Sequence, residues 1–190
     1  MIAVINYGQA KPVLLLEALA ILNIDYIFTE NEIEITRADK VIFHSDDSPE
    51  ILIRKLHFEN LFSLLRICQK PMLVIGLGFS ICGEKIVNLK QVGLGLVHRE
   101  VSILEKEISG SFNIEVIKEN EIFKNMKANK FSFNSRLFLP QDSNTIAVIS
   151  IDGVKYSAAM QKGNLTGIQF YPENSGEDGL TVLSNWNNSY

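Results

Sequence analysis

PMLVIGLGFSICGE (residues 71–84) holds an apolar run, Met72 to Ile75, that ends in Gly76-Leu77-Gly78 and turns into a helical pattern. A buried strand that feeds a helix through a sharp glycine-containing turn is how an α/β enzyme presents a nucleophile at the carboxyl edge of its sheet. The residue at the apex, Gly76, has no side chain to present.

Upstream, MIAVINY (1–7) is a short β-branched run of the kind buried on both faces, and Pro12 suits the start of a helix whose Leu15, Leu16, Leu19 and Leu22 recur at helical spacing. DYIFTE (25–30) and KVIFHS (40–45) read as further strands. Ser48 as N-cap and Pro49 at the first position open one long helix with Ile51, Leu52, Leu56, Leu61, Leu64 and Leu65 on its apolar face, closed by Lys70-Pro71. Strands alternating with helices predict a doubly wound, largely parallel sheet with its sites at the carboxyl ends of the strands. After about residue 90, GLGLV, EVSILEK, FNIEVI, KFSFNSR, TIAVIS, KYSAAMQ and LTGIQF read as short strands separated by turns such as Asp152-Gly153 and Lys162-Gly163-Asn164, giving hairpins that extend or flank the sheet. From Ser175 the chain reads as a terminal helix carrying Leu180, Leu183 and Trp186, with NWNNSY as its frayed end.

A chain of 190 residues with 46% hydrophobic content predicts a single domain, 1–190, with a sizeable core. The net charge of −4 gives no reason to expect nucleic acid. Two cysteines, Cys68 and Cys82, are too few for a disulfide framework and too far apart for a metal pair, which predicts a reducing, cytoplasmic setting. No apolar run approaches a membrane span. GLGLV lacks the strand, turn and helix context of a dinucleotide fingerprint, and no cofactor is expected.

MIAVINYG, ADKVIF, KPMLVIGLGFS, VGLGLV and above all AAMQKGNLTGIQFYPENSGEDGLTVLSNW occur in an order that resembles the glutaminase subunits of imidazole glycerol phosphate synthase, which are class I glutamine amidotransferases. The resemblance implies a flavodoxin-like three-layer α/β fold, a central mostly parallel sheet with added antiparallel hairpins. It also implies a (β/α)8-barrel cyclase subunit as heterodimer partner, histidine biosynthesis as the setting, and a Cys-His-Glu triad that splits glutamine. Carried onto this chain, the triad is not intact: the nucleophile position is Gly76, the base position is Tyr171, and only the carboxylate, Glu173, is retained. A phenol, with a reference pKa of about 10, is a poor general base near neutrality. Val74 replaces the first glycine of the turn, so a relaxed turn backbone is expected. The family's Pro-Gly-Val-Gly oxyanion loop corresponds to Phe43-His44-Ser45-Asp46-Asp47, whose carboxylates would oppose developing negative charge.

Two other residues are open to nucleophilic roles. Cys82 lies six positions past the apex, in what reads as helix, and is expected to be a buried, inert thiol. Ser80, on the first helical turn, points either at the cleft or at a backbone group. His44 with Asp46 and Asp47 is weighed as a metal or polar-ligand cluster against the preferred reading, a solvated connection near a helix N-terminus; no metal site is assigned. The stretch resembling the family's synthase-facing Met-Gly-Trp-Asn is Gly110-Ser111-Phe112-Asn113, so Phe112, Asn113 and Phe133 are the candidate partner surface. The leading expectation is a non-hydrolysing partner or regulator of a (β/α)8 synthase. The alternatives are a working amidotransferase subunit, of imidazole glycerol phosphate synthase or of a related sugar-modifying synthase, and a module that binds a small ligand in the cleft.

Overall fold

The computed structural model describes residues 1–87 and 91–190. The first half alternates as read: β1 (Ile2–Ile5), α1 (Val13–Ile21), β2 (Tyr26–Thr29), α2 (Glu32–Arg37), β3 (Lys40–Ser45), α3 (Pro49–Phe58), α4 (Leu61–Ile67), β4 (Met72–Gly76) and α5 (Leu77–Ser80). β5 (Lys85–Ile86), β6 (Glu100–Asn113), β7 (Glu115–Val116), β8 (Lys130–Phe138), β9 (Thr145–Ile151), β10 (Val154–Lys162), β11 (Leu165–Ile168) and α6 (Gly176–Asn188) follow.

Among the described residues the main sheet runs β2-β1-β3-β4-β11-β10-β9-β7. Its first five strands are parallel, and β10, β9 and β7 add to it antiparallel. A smaller sheet, β5-β6-β8, stands beside it. The pleat divides the core by residue parity. Val4, Ile42, Leu73 and Ile75 face a cluster with Leu15 and Leu19 of α1 and Trp186 of α6. Ala3, Ile5, Val41, Phe43 and Val74 face a second cluster with Leu52, Leu56 and Leu65 of α3 and α4. The sheet thus lies between two helical layers.

Four expectations from the sequence are corrected. The single helix read over 48–70 is two, because Asn60 takes a left-handed conformation (φ 58°) between α3 and α4. GLGLV is no strand: Gly93 presses so close to residues 81–83 that a Cβ on it would lie 2.2 Å from the Gly83 carbonyl oxygen. EVSILEK and the start of FNIEVI are one 14-residue strand, β6, held along much of its length by β8. NWNNSY is largely helical, anchored by the fully buried Trp186. α2 was not anticipated, although Asn31 caps it by accepting from the Ile33 and Glu34 amides.

Candidate functional site

β4 delivers the chain to Gly76 with φ 64° and ψ −128°, a conformation that costs an L-residue about 1–3 kcal/mol. The expected relaxation of the turn has therefore not occurred, even with Val74 in place of glycine. One reason is Gln169, a fully buried residue that the sequence reading missed. Its Nε2 donates to the Gly76 carbonyl at 3.2 Å, and its Oε1 lies 3.0 Å from the donating Ser80 hydroxyl. A lone buried glutamine just past a strand was the available signal, since such an amide requires partners.

Tyr171 fills the space above the turn. A Cβ on Gly76 would lie 2.5 Å from the Tyr171 Cε1 and Cζ atoms and 2.6 Å from its hydroxyl oxygen, well inside van der Waals contact. The ring is buried and its hydroxyl donates to the Ser45 carbonyl at 3.2 Å. Burial raises the phenol's pKa well above its ordinary value, Asp46 adds to the effect, and the Leu77 backbone N–H on the phenol oxygen partly offsets it. The phenol stays protonated at neutral pH. It is a donor there, unsuited to accept a proton as a base.

Glu173, which follows in a 3-10 turn (Pro172–Asn174), does have a histidine: His44 at the end of β3. His44 Nε2 lies 2.8 Å from Glu173 Oε1, with side chains only 7% and 4% exposed. The preferred reading of His44 as part of a solvated connection is thus corrected. The cluster with the two aspartates does not form either, because Asp47 turns to Lys55 at 3.0 Å and Asp46 is exposed. Among the described residues no group of three His, Cys, Asp or Glu side chains could hold a metal ion. The His44 and Tyr171 rings meet edge to face at 5.6 Å. Beside them lies a cavity of about 270 Å³, walled also by Lys11, Leu14, Asn134 and Asn174.

The remaining candidates are placed as follows. Ser80 is fully buried, its hydroxyl held between the Leu137 carbonyl and Gln169. Cys82 lies just beyond the short α5, not within it; it is fully buried near the Gly78 carbonyl, and burial pushes its thiol far above the ordinary range. Phe133 is 1% exposed and packs among Phe112, Phe138 and Phe170, so its assignment to a partner surface is corrected: it is core. Phe112 is half-buried and Asn113 exposed. No helix among the described residues is long and apolar enough to cross a membrane.

A sharp glycine turn between β4 and α5 in a three-layer α/β frame defines a class I glutamine amidotransferase fold. A solved glutamine amidotransferase superimposes with TM-score 0.74 at 14% identity, over 97% of this chain and 98% of that one, and PurLQS from Thermotoga maritima with TM-score 0.70 at 19%, over 99% and 97%. No protein-family model matches the chain. The imidazole glycerol phosphate synthase subunit HisH of Bacillus thuringiensis subsp. konkukian is 32% identical over 98% of this chain and 93% of that protein, and the one of Buchnera aphidicola subsp. Schizaphis graminum is 30% identical over 97% and 98%. The chain belongs to the family of imidazole glycerol phosphate synthase subunit HisH.

Proposed function

We propose that this chain is a glutaminase-type subunit that does not hydrolyse glutamine and acts through association with a (β/α)8-barrel synthase subunit. The observation that carries the reading is the Tyr171 ring, which occupies the volume into which a nucleophile at residue 76 would project. Residue 76 itself supplies no attacking atom. A tetrahedral intermediate needs a nucleophile, a base and a pocket for the oxyanion together. Here the turn is blocked by a neutral phenol whose hydroxyl donates to the Ser45 carbonyl. Ser80 and Cys82, the other candidate nucleophiles, are buried and turned elsewhere.

The HisH relatives are named as subunits of a synthase, and full-length similarity to them supports an association role. With Phe133 in the core, Phe112 and Asn113 carry the proposed partner surface. Co-expression with the barrel subunit encoded in the same genome tests it. A specific complex that Phe112→Asp weakens, while circular dichroism is unchanged, is expected. Two subunits that elute separately at micromolar concentration contradict the association.

A further inference from the structure

β6 has one paired edge and one open edge. β8 pairs with it from Ser102 to Asn113, whereas on the other side β5 reaches only Glu100 and Val101. Among the described residues no strand covers that outer edge from Ser102 onward. The hydrogen-bond phase identifies the free groups. Ile114 N–H donates to the Asn129 carbonyl, in the register that pairs Phe112 with Phe131 and Asn113 with Lys130. Antiparallel alternation then aims the N–H and C=O groups of Ile108, Gly110 and Phe112 at β8, and those of Ser109, Ser111 and Asn113 outward.

Open edges normally carry a charge, a proline or a bulge that prevents further pairing. Here those guards stop short. Glu105, Lys106 and Glu107 sit at the register shift between Ile103 and Ile108, pinned by the Arg136 guanidinium, which donates to the Leu104 and Glu105 carbonyls. From Ile108 to Asn113 the register is unbroken, no residue is charged, and Ser109, Gly110 and Ser111 are exposed. A Cβ on Gly110 would meet nothing within 4 Å, so the middle of the edge is open.

This edge is complementary to itself. A two-fold axis at Gly110 sets Ser109 opposite Ser111 of a second copy, and because both present outward N–H and C=O groups, each such pair exchanges two hydrogen bonds. The same register sets Ile108 opposite Phe112, both half-buried against the core, and Glu107 opposite the neutral Asn113, so no like charges meet. We propose that β6 is a homodimerisation edge, along which two copies of this chain pair antiparallel and join their β6-β8 ribbons into one sheet. Phe112 and Asn113 also belong to the proposed partner surface, so the dimer and a barrel complex exclude each other. The dimer is tested on the chain alone, and its failure leaves the association with a barrel subunit standing.

The test is sedimentation equilibrium of the full-length protein across the micromolar range under reducing conditions, with amide exchange followed by NMR. A monomer–dimer equilibrium is expected, with the Ser109 and Ser111 amides gaining protection as concentration rises. Ser109→Lys with Ser111→Lys sets lysines directly opposite each other and should weaken the dimer about tenfold, without changing the circular dichroism of the monomer. Ser109→Lys with Ser111→Glu sets opposite charges in the same register and should restore it. A protein that stays monomeric throughout overturns the proposal. So does a dimer that the two lysines leave unchanged, or one that the Lys/Glu variant weakens as much as the two lysines do.

Discussion

Gly76 and Tyr171 share one volume: the ring of the second lies 2.5 Å from where any side chain on the first would begin. The two residues therefore behave as a pair. Gly76→Ala should destabilise by about 1–3 kcal/mol through backbone strain and by about 1–3 kcal/mol more through overpacking. Tyr171→Ala should be destabilising alone, yet it removes the overpacking component for residue 76. A double-mutant cycle in urea should show favourable coupling of about 0.5–3 kcal/mol. Strict additivity would mean that the ring yields freely.

Restoring the two family side chains should not restore the chemistry. Gly76→Cys with Tyr171→His supplies a thiol on a turn that keeps its positive φ, and an imidazole in place of the phenol. The loop after β3 still carries Asp46 and Asp47 in the stretch that corresponds to the resembled family's Pro-Gly-Val-Gly loop. Loss of one oxyanion donor costs about 10²–10³ in rate, so glutamate release by the double variant with its partner should stay at least about a hundredfold below that of an ordinary family subunit. Ordinary turnover would show that the loop substitutions are harmless.

Cys82 should resist alkylation in the native protein, since burial keeps it as the thiol and reaction requires the thiolate. Iodoacetamide followed by peptide mass mapping should modify the partly exposed Cys68 first and Cys82 only upon unfolding. Rapid native labelling of Cys82 would reopen it as a nucleophile.

Asp142 ties the turn between β8 and β9. Burial acts to raise its pKa, but the Asn144 amide, the Arg99 guanidinium at 3.2 Å and Thr145 outweigh it, so the folded value lies below the ordinary one. A lowered folded pKa means stabilisation that is present above the unfolded value near 3.9 and is lost as pH falls through the folded value. Asp142→Asn should cost about 1–2 kcal/mol at neutral pH. The gap from the unaltered protein should close on acidification below about pH 4. A gap that stays constant down to pH 3 contradicts the assignment.

The parallel half of the fold was legible because its strands are apolar runs buried on both faces, and Met72 to Ile75 could hardly be anything but a central strand. Asn60 broke the helix read over 48–70 because a left-handed residue leaves the apolar periodicity on both sides intact. β6 was cut in two because Glu105, Lys106 and Glu107 are exposed on a strand at the side of the core, where alternation fails. At the site, that residue 76 has no side chain and residue 171 is a phenol was legible from residue type alone. Their spatial exclusion of each other was not, since 95 residues separate them. His44 was misjudged for the same reason: its partner, Glu173, lies 129 positions away. Phe133 was read as surface because an aromatic on an alternating strand does not reveal which face is covered.

The central claim is that this family member carries a glutaminase frame without glutaminase chemistry. Its most direct test is glutamate release from glutamine by the purified chain with its barrel subunit and that subunit's ligand, followed with glutamate dehydrogenase. The account predicts a rate equal to the enzyme-free blank, unchanged by Ser80→Ala or Cys82→Ala. Glutamate formation above the blank that is abolished by one of those substitutions would contradict it and identify the nucleophile.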